Sequence, residues 1–199
     1  SVRCEGSFPS HEYRVFFEAT GADGAKHTVR PTAARGATSR RSGVGDEAER
    51  PLFPFSQVSP WHDVPLKNAD GTYNFICEIP KWTRAKMEIA TKEAFNPIKQ
   101  DTKNGKLREY KYGDMLFNYG CFPQTWEDPA HVTPDTGCHG DNDPIDACEI
   151  GTKIFRSGSV VKVKALGCLA MIDDGETDWK VICIACDDPL APKLNDIDD

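Results

Sequence analysis

From Pro60 onward the apolar residues of this chain come in short runs, and each run is closed by a cluster of Pro, Gly, Asn or Asp. YNFICEI, KMEIA, KLREY, IDACEIG, SVVKVKALGCLAMID and DWKVICIA are strand-sized, and punctuation this frequent predicts a β-barrel or a sandwich. Tyr13–Glu18 adds an aromatic, β-branched strand followed by a Gly- and Asp-rich turn. No long helix is predicted; Lys92–Phe95 has room for one helical turn. The longest apolar run, Val181–Cys186, falls far below the roughly 18 residues of a membrane span.

Charge narrows the function classes. With 24 Lys and Arg against 31 Asp and Glu the chain carries a formal charge of −7, which opposes the phosphate-backbone attraction of a nucleic-acid binder. A phosphate-bearing ligand would therefore need metal ions or local basic groups. Hydrophobic residues at 39% suffice for folding in water, and neither a nucleic acid nor a membrane is expected as a partner.

Three regions are expected: an N-terminal strand region at 1–29, a flexible insertion at 30–50, and a barrel domain at 51–199. Arg30–Arg50 holds no aromatic residue and one Val, so it cannot bury enough surface to offset its own ordering entropy. The chain begins without Met and ends on the polar run KLNDIDD, which suggests a piece of a longer protein. Eight cysteines show no disulfide framework. Cys77, Cys148, Cys168, Cys183 and Cys186 are expected to be reduced and buried in apolar strands. Cys183 and Cys186 lack the second ligand pair that a zinc site requires.

The chemistry concentrates in three acidic or mixed segments. Asp141, Asp143 and Asp146 fall within six positions around Pro144, which forces a loop or the start of a strand. If the backbone is extended, Asp141 and Asp143 face one way, and Asp146 converges on them after the proline. Such crowding repels unless a cation intervenes, and hard divalent ions, Mg²⁺ above all, prefer these oxygen ligands. An EF-hand does not fit, because its third ligand, glycine and twelfth places hold Ile145, Asp146 and Thr152. A solvated acidic turn remains the plain alternative. Around Asp173–Lys180 a hairpin is expected, with Glu176, Asp178 and Lys180 on one face of its second strand and Trp179, Val181 and Cys183 on the other. Lys86 and Glu88 share a strand face opposite Met87 and Ile89. Together with Arg108 and Tyr119, these groups form the carboxylate-plus-cation set that metal-assisted phosphoryl transfer to water requires.

GDNDPID resembles the signature of the soluble family I inorganic pyrophosphatases, and EIPKWTRAKMEI, NPIKQDTKNGKLR, NYGCFPQTWEDP, VKALGCLAMIDDGETDWKVI and DPLAPKLNDIDD resemble the eukaryotic branch. The resemblance implies a mainly β (α+β) fold, an OB-like five-stranded barrel with few flanking helices, lacking here the C-terminal helical part. It implies hydrolysis of pyrophosphate with Mg²⁺ as cofactor and Asp143 as general base. Asp141, Asp146, Asp173 and Asp178 would hold metal ions, Glu78 and Glu88 a further metal or its waters, and Lys86, Arg108, Tyr119 and Lys180 the phosphate oxygens. A homodimer is implied. Cytoplasm is the default compartment, with an organelle or acidic vesicle as the alternative that the short KYGDMLFNYG connection suggests. The competing reading is a non-catalytic module that binds divalent metal or phosphate.

Overall fold

A computed structural model describes residues 1–19 and 56–199, and the expected insertion at 30–50 lies outside them. Twelve strands are described: β1 (Val2–Glu5), β2 (Arg14–Ala19), β3 (Ser56–Val58), β4 (Tyr73–Ile79), β5 (Met87–Ile89), β6 (Ile98–Gln100), β7 (Thr102–Lys103), β8 (Lys106–Leu107), β9 (Asn118–Cys121), β10 (Asp146–Glu149), β11 (Val160–Asp173) and β12 (Glu176–Ala185). Five of them, in the order β10-β12-β11-β4-β9, close into a barrel. The outcome is the mainly β, OB-like architecture.

The barrel closes because β11 is long enough to serve two neighbours. Val160–Val163 pair with β4 (Val160 with Ile76), and from Val163 on the strand pairs with β12, through a bulge at Ala165–Gly167, down to the Asp173–Glu176 tip. Bulges bend a strand and strengthen its twist, which is how a short sheet turns back on itself. Strands β4 and β9 approach so closely that a side chain on Gly120 would collide with the Ile76 carbonyl. Only glycine fits there.

A second sheet, β1-β2-β6-β5 with β3 on β2, packs outside the barrel. Alternation along β4 sends Phe75 and Cys77 into the barrel core with Val163 and Cys183, and Ile76 outward to Val15, Met87 and Ile98. The strand is therefore apolar on both faces. Between Cys77 and Ile79 the β4–β9 register shifts, and Ile79 joins the outer cluster with Ile76. The irregularity falls on Glu78.

Several expectations are corrected. No helix occurs among the described residues, so the expected flanking helices are missing there, and none is long and apolar enough to cross a membrane. Lys92–Phe95 makes turns, ended by left-handed Phe95 and Asn96 (φ 62° and 43°). In KLREY only Lys106–Leu107 is strand, with Glu109 bridged singly to Ala85. Cys168 and Cys186 are exposed, unlike the buried Cys77, Cys148 and Cys183. Cys168 sits opposite Val181 on the exposed distal half of β11, and Cys186 lies just past the end of β12.

Candidate active site

A cavity of about 540 Å³ lies against the barrel strands, and all eleven residues singled out by the resemblance line it. Topology brings them there from distant positions. The parallel β10–β12 ladder sets Asp146 opposite Lys180, and the β9–β10 ladder sets Cys148 opposite Tyr119. Ahead of β10 the parallel pairing is extended by a bridge from Gly140 to Thr177, which lays the 139–143 loop along the start of β12.

That loop is not extended. Asn142 has φ 74°, and the Asp143 N–H donates to Asp141 Oδ1 at 2.9 Å, an Asx-type turn within the loop that Pro144 called for, so the extended condition is not met. The loop is clamped to residues 127 and 128 by three backbone hydrogen bonds: Glu127 N–H to the Asp143 carbonyl, Asn142 N–H to that of Glu127, and Gly140 N–H to that of Asp128. A side chain at Gly140 would collide with the Glu127 carbonyl. Glycine is thus required for this contact.

The clamp delivers a carboxylate that sequence reasoning did not single out. Glu127 is buried, with Oε1 accepting from the Trp179 N–H at 3.0 Å and Oε2 buried without a partner. Glu127, Asp141 and Asp178 each offer an oxygen within 4.8 Å of the others, a spacing that suits a metal ion. Asp146, which the resemblance grouped with Asp141 and Asp178, instead accepts from Tyr119 Oη at 2.5 Å and Lys180 Nζ at 2.7 Å. Lys180 also pairs with Asp178. Asp173 lines the cavity from the exposed β11–β12 tip, outside the three-carboxylate group. The only advance signal for Glu127 was its place inside NYGCFPQTWEDP.

The opposite wall is cationic. The backbones of Lys86, Asp101 and Arg108 are tied in a ring: Lys86 N–H to Arg108, Arg108 N–H to Asp101, and Asp101 N–H to Lys86, at 2.8–3.0 Å. Their side chains follow. Arg108 pairs with Asp101 Oδ2, and Lys86 Nζ lies 3.5 Å from the same oxygen and 3.3 Å from Glu88 Oε2. Asp101 is a second residue that sequence reasoning did not select. Glu78 is buried, and its Oε1 accepts from the Ile89 N–H at 2.6 Å, which joins barrel strand β4 to outer strand β5.

Electrostatics separate the two walls. On the acidic side, burial pushes the Glu127 and Asp143 carboxyls up to about 7, with Asp141 adding to both. Burial likewise raises Asp146 to about 6 against the pull of Lys180, and raises Asp141 and, most strongly, Glu78. On the cationic side, burial would raise Asp101, yet its hydrogen bond from Arg108 and the charge of Lys86 leave it below the ordinary carboxylate value. For Lys180, desolvation is outweighed by Asp146 and the ammonium pKa rises. The acidic wall is short of positive charge.

Fold and site together define an OB-like barrel with a carboxylate site able to hold a metal ion, flanked by anion-binding cations. The model of the inorganic pyrophosphatase family matches residues 75–199, and the chain belongs to that family. A soluble inorganic pyrophosphatase (number 6, chloroplastic) from Arabidopsis thaliana is 57% identical over 144 residues, covering 72% of this chain and 48% of that protein. The human inorganic pyrophosphatase is 56% identical over 146 residues, covering 71% and 50%. Among solved structures, the N-terminally truncated vacuolar soluble pyrophosphatase of Trypanosoma cruzi, in complex with PPi, superposes with TM-score 0.81 at 47% identity, covering 100% of this chain and 69% of that one. The recombinant inorganic pyrophosphatase of T. brucei brucei gives 0.80 at 45%, covering 100% and 53%. The chain spans about half the length of the curated plant and human relatives.

Proposed function

We propose that this chain carries the catalytic barrel of an inorganic pyrophosphatase, hydrolysing pyrophosphate to two phosphates. The observation that carries the reading is the group of Glu127, Asp141 and Asp178, whose carboxylate oxygens lie within 4.8 Å of one another, with Asp141 and Asp178 lining the same cavity as Lys86 and Arg108 and with Glu127 Oε2 buried and unpartnered. A buried carboxylate oxygen left without a donor is costly unless a cation or a proton joins it. An all-oxygen donor set fits a hard divalent ion, and Mg²⁺ is the one assigned. Glu127, Asp141 and Asp178 would hold it, with Asp146 and Asp173 adjoining and Glu78 and Glu88 orienting a further ion or its waters. When bound, such an ion neutralises phosphate charge and acidifies water.

The chain's own residues do the rest. Asp143 accepts the proton of the attacking water as the new P–O bond forms and the bridging P–O bond breaks. In the metal-free chain desolvation and the neighbouring Asp141, Glu88 and Asp146 raise its carboxyl toward the basicity that a proton acceptor needs. Lys86, Arg108, Lys180 and Tyr119 bind the phosphate oxygens. Their carboxylate partners hold them extended toward the cavity until an anion competes for them. Pyrophosphate is the substrate, a homodimer the assembly, and the cytoplasm the compartment, with an organelle or acidic vesicle as the alternative.

The test is phosphate release from pyrophosphate with Mg²⁺, using this chain and Asp143→Asn. Turnover that the substitution removes, with Mg²⁺ binding retained, supports the reading. Mg²⁺ binding without turnover in either protein would overturn it in favour of a non-catalytic binding module.

A further inference from the structure

The donors that line the cavity are unequally occupied. Lys86 and Arg108 are engaged by Asp101 and Glu88, Lys180 by Asp146 and Asp178, and the Tyr119 hydroxyl by Asp146. Tyr110 also lines the cavity, and its hydroxyl has no hydrogen-bond partner among the described residues. The position of this side chain is fixed rather than incidental. Its backbone N–H donates to the Arg84 carbonyl at 3.0 Å, its ring packs against the core between the barrel and the outer sheet, and the Tyr112 ring leans on it with centroids 5.1 Å apart.

We infer that Tyr110 is a substrate-binding residue, whose hydroxyl donates to an anionic oxygen of the phosphate group lying against Arg108. This rests on the reading of the cavity as a pyrophosphate site and adds a ligand that the motifs did not supply. A neutral donor suits that place. The cations around it are partly cancelled by their own carboxylates, whereas a phenol adds a hydrogen bond without drawing another acid into a pair. Burial and the fields of Tyr112, Asp146 and Glu78 push its pKa above the ordinary value, so the proton stays on the oxygen at neutral pH. The Tyr119 hydroxyl differs in that it must release Asp146 before it can donate to substrate.

The test is Tyr110→Phe in this chain, which keeps the ring and its packing and removes only the donor. Two measurements are made with Mg²⁺: KM and kcat for phosphate release from pyrophosphate, and the Kd of inorganic phosphate by calorimetry. The expected result is a rise in both KM and phosphate Kd of about 3–10-fold, with kcat within twofold and the thermal midpoint unchanged. An unchanged phosphate Kd would overturn the inference, as would a wild-type chain that binds no phosphate. Turnover absent from the wild-type chain, with phosphate still bound and weakened by Tyr110→Phe, would overturn the enzymatic reading and leave this one standing. A thermal midpoint lowered together with phosphate affinity, and restored by no added phosphate, would overturn it in favour of a packing role.

Discussion

Two groups of carboxylates, one at the closed end of β10 away from the cavity and one at its open, cavity end, behave in opposite ways. At the closed end, Glu149 follows β10's Cys148 and is fully buried. Its Oε1 accepts from the N–H groups of Gly151 and Ala185, both at 2.9 Å, and its Oε2 from Asn118 Nδ2 at 2.8 Å. Nearby, Asp188 accepts from the Thr152 and Leu190 N–H groups and the Thr152 hydroxyl at 2.6–2.9 Å. Burial would raise the Asp188 pKa, but these donors outweigh it and the pKa falls. At the open end Glu127, Asp141, Asp143 and Asp146 are raised, because burial there is met by other carboxylates and too few donors. The first group is consumed by the fold. The second is left able to take a cation, and that contrast marks the site more sharply than burial or residue type alone.

The sharpest separation of the two ends comes from removing one charge at a time. Asp143→Asn should lower pyrophosphate turnover by roughly 10²–10⁴-fold with little change in fold stability, measured by phosphate release and by urea denaturation. Glu149→Gln should do the reverse. It turns an amide toward backbone N–H donors at the closed end, and the cost should be about 2–3 kcal/mol in urea denaturation, with Mg²⁺ affinity unchanged.

The metal-free protein should also show the contrast in its pH dependence. Glu127 rises from its ordinary 4.5 to about 7, Asp143 from 3.8 to about 7 and Asp146 from 3.8 to about 6. Over that window the folded chain holds more protons than the unfolded chain, so these groups lower stability as pH rises from about 4 to about 7. Thermal melts with a chelator should show the midpoint falling across this range, and Mg²⁺ should flatten the slope. A slope of the same size with saturating Mg²⁺ would break the comparison. The smallest effect is expected from Glu127→Gln. It should raise metal-free stability by about 1 kcal/mol at neutral pH while weakening Mg²⁺ binding, and thus be opposite in sign to Glu149→Gln.

Much of the barrel was legible because its signals are local. The strand-sized runs YNFICEI and DWKVICIA, together with the Asp-Gly tip before Glu176, mark β4 and β12 directly, and Glu176, Asp178 and Lys180 do share the cavity side. The acid loop was legible in composition but not in conformation, since the turn at Asn142 depends on the clamp to Glu127. Glu127 and Asp101 were missed because neither is remarkable within its own segment. Each acquires its role only from the loop or strand laid against it. The exposure of Cys168 and Cys186 was misjudged for a related reason: an apolar neighbourhood in sequence does not say which face of a strand is covered.

By itself, then, the amino-acid order determined which segments are strands, where they turn and that acids and cations would outnumber what a plain surface needs. Those properties depend on neighbours one to four positions apart. Only the tertiary structure decided which carboxylates would be neutralised by backbone donors and which would be left facing one another. That depends on ladder register, on bulges such as the one at Glu78 and on the close approach permitted by Gly140. These are contacts across tens of residues, and the energy of a buried charge is set by what stands within a few ångströms of it, whatever its distance along the chain.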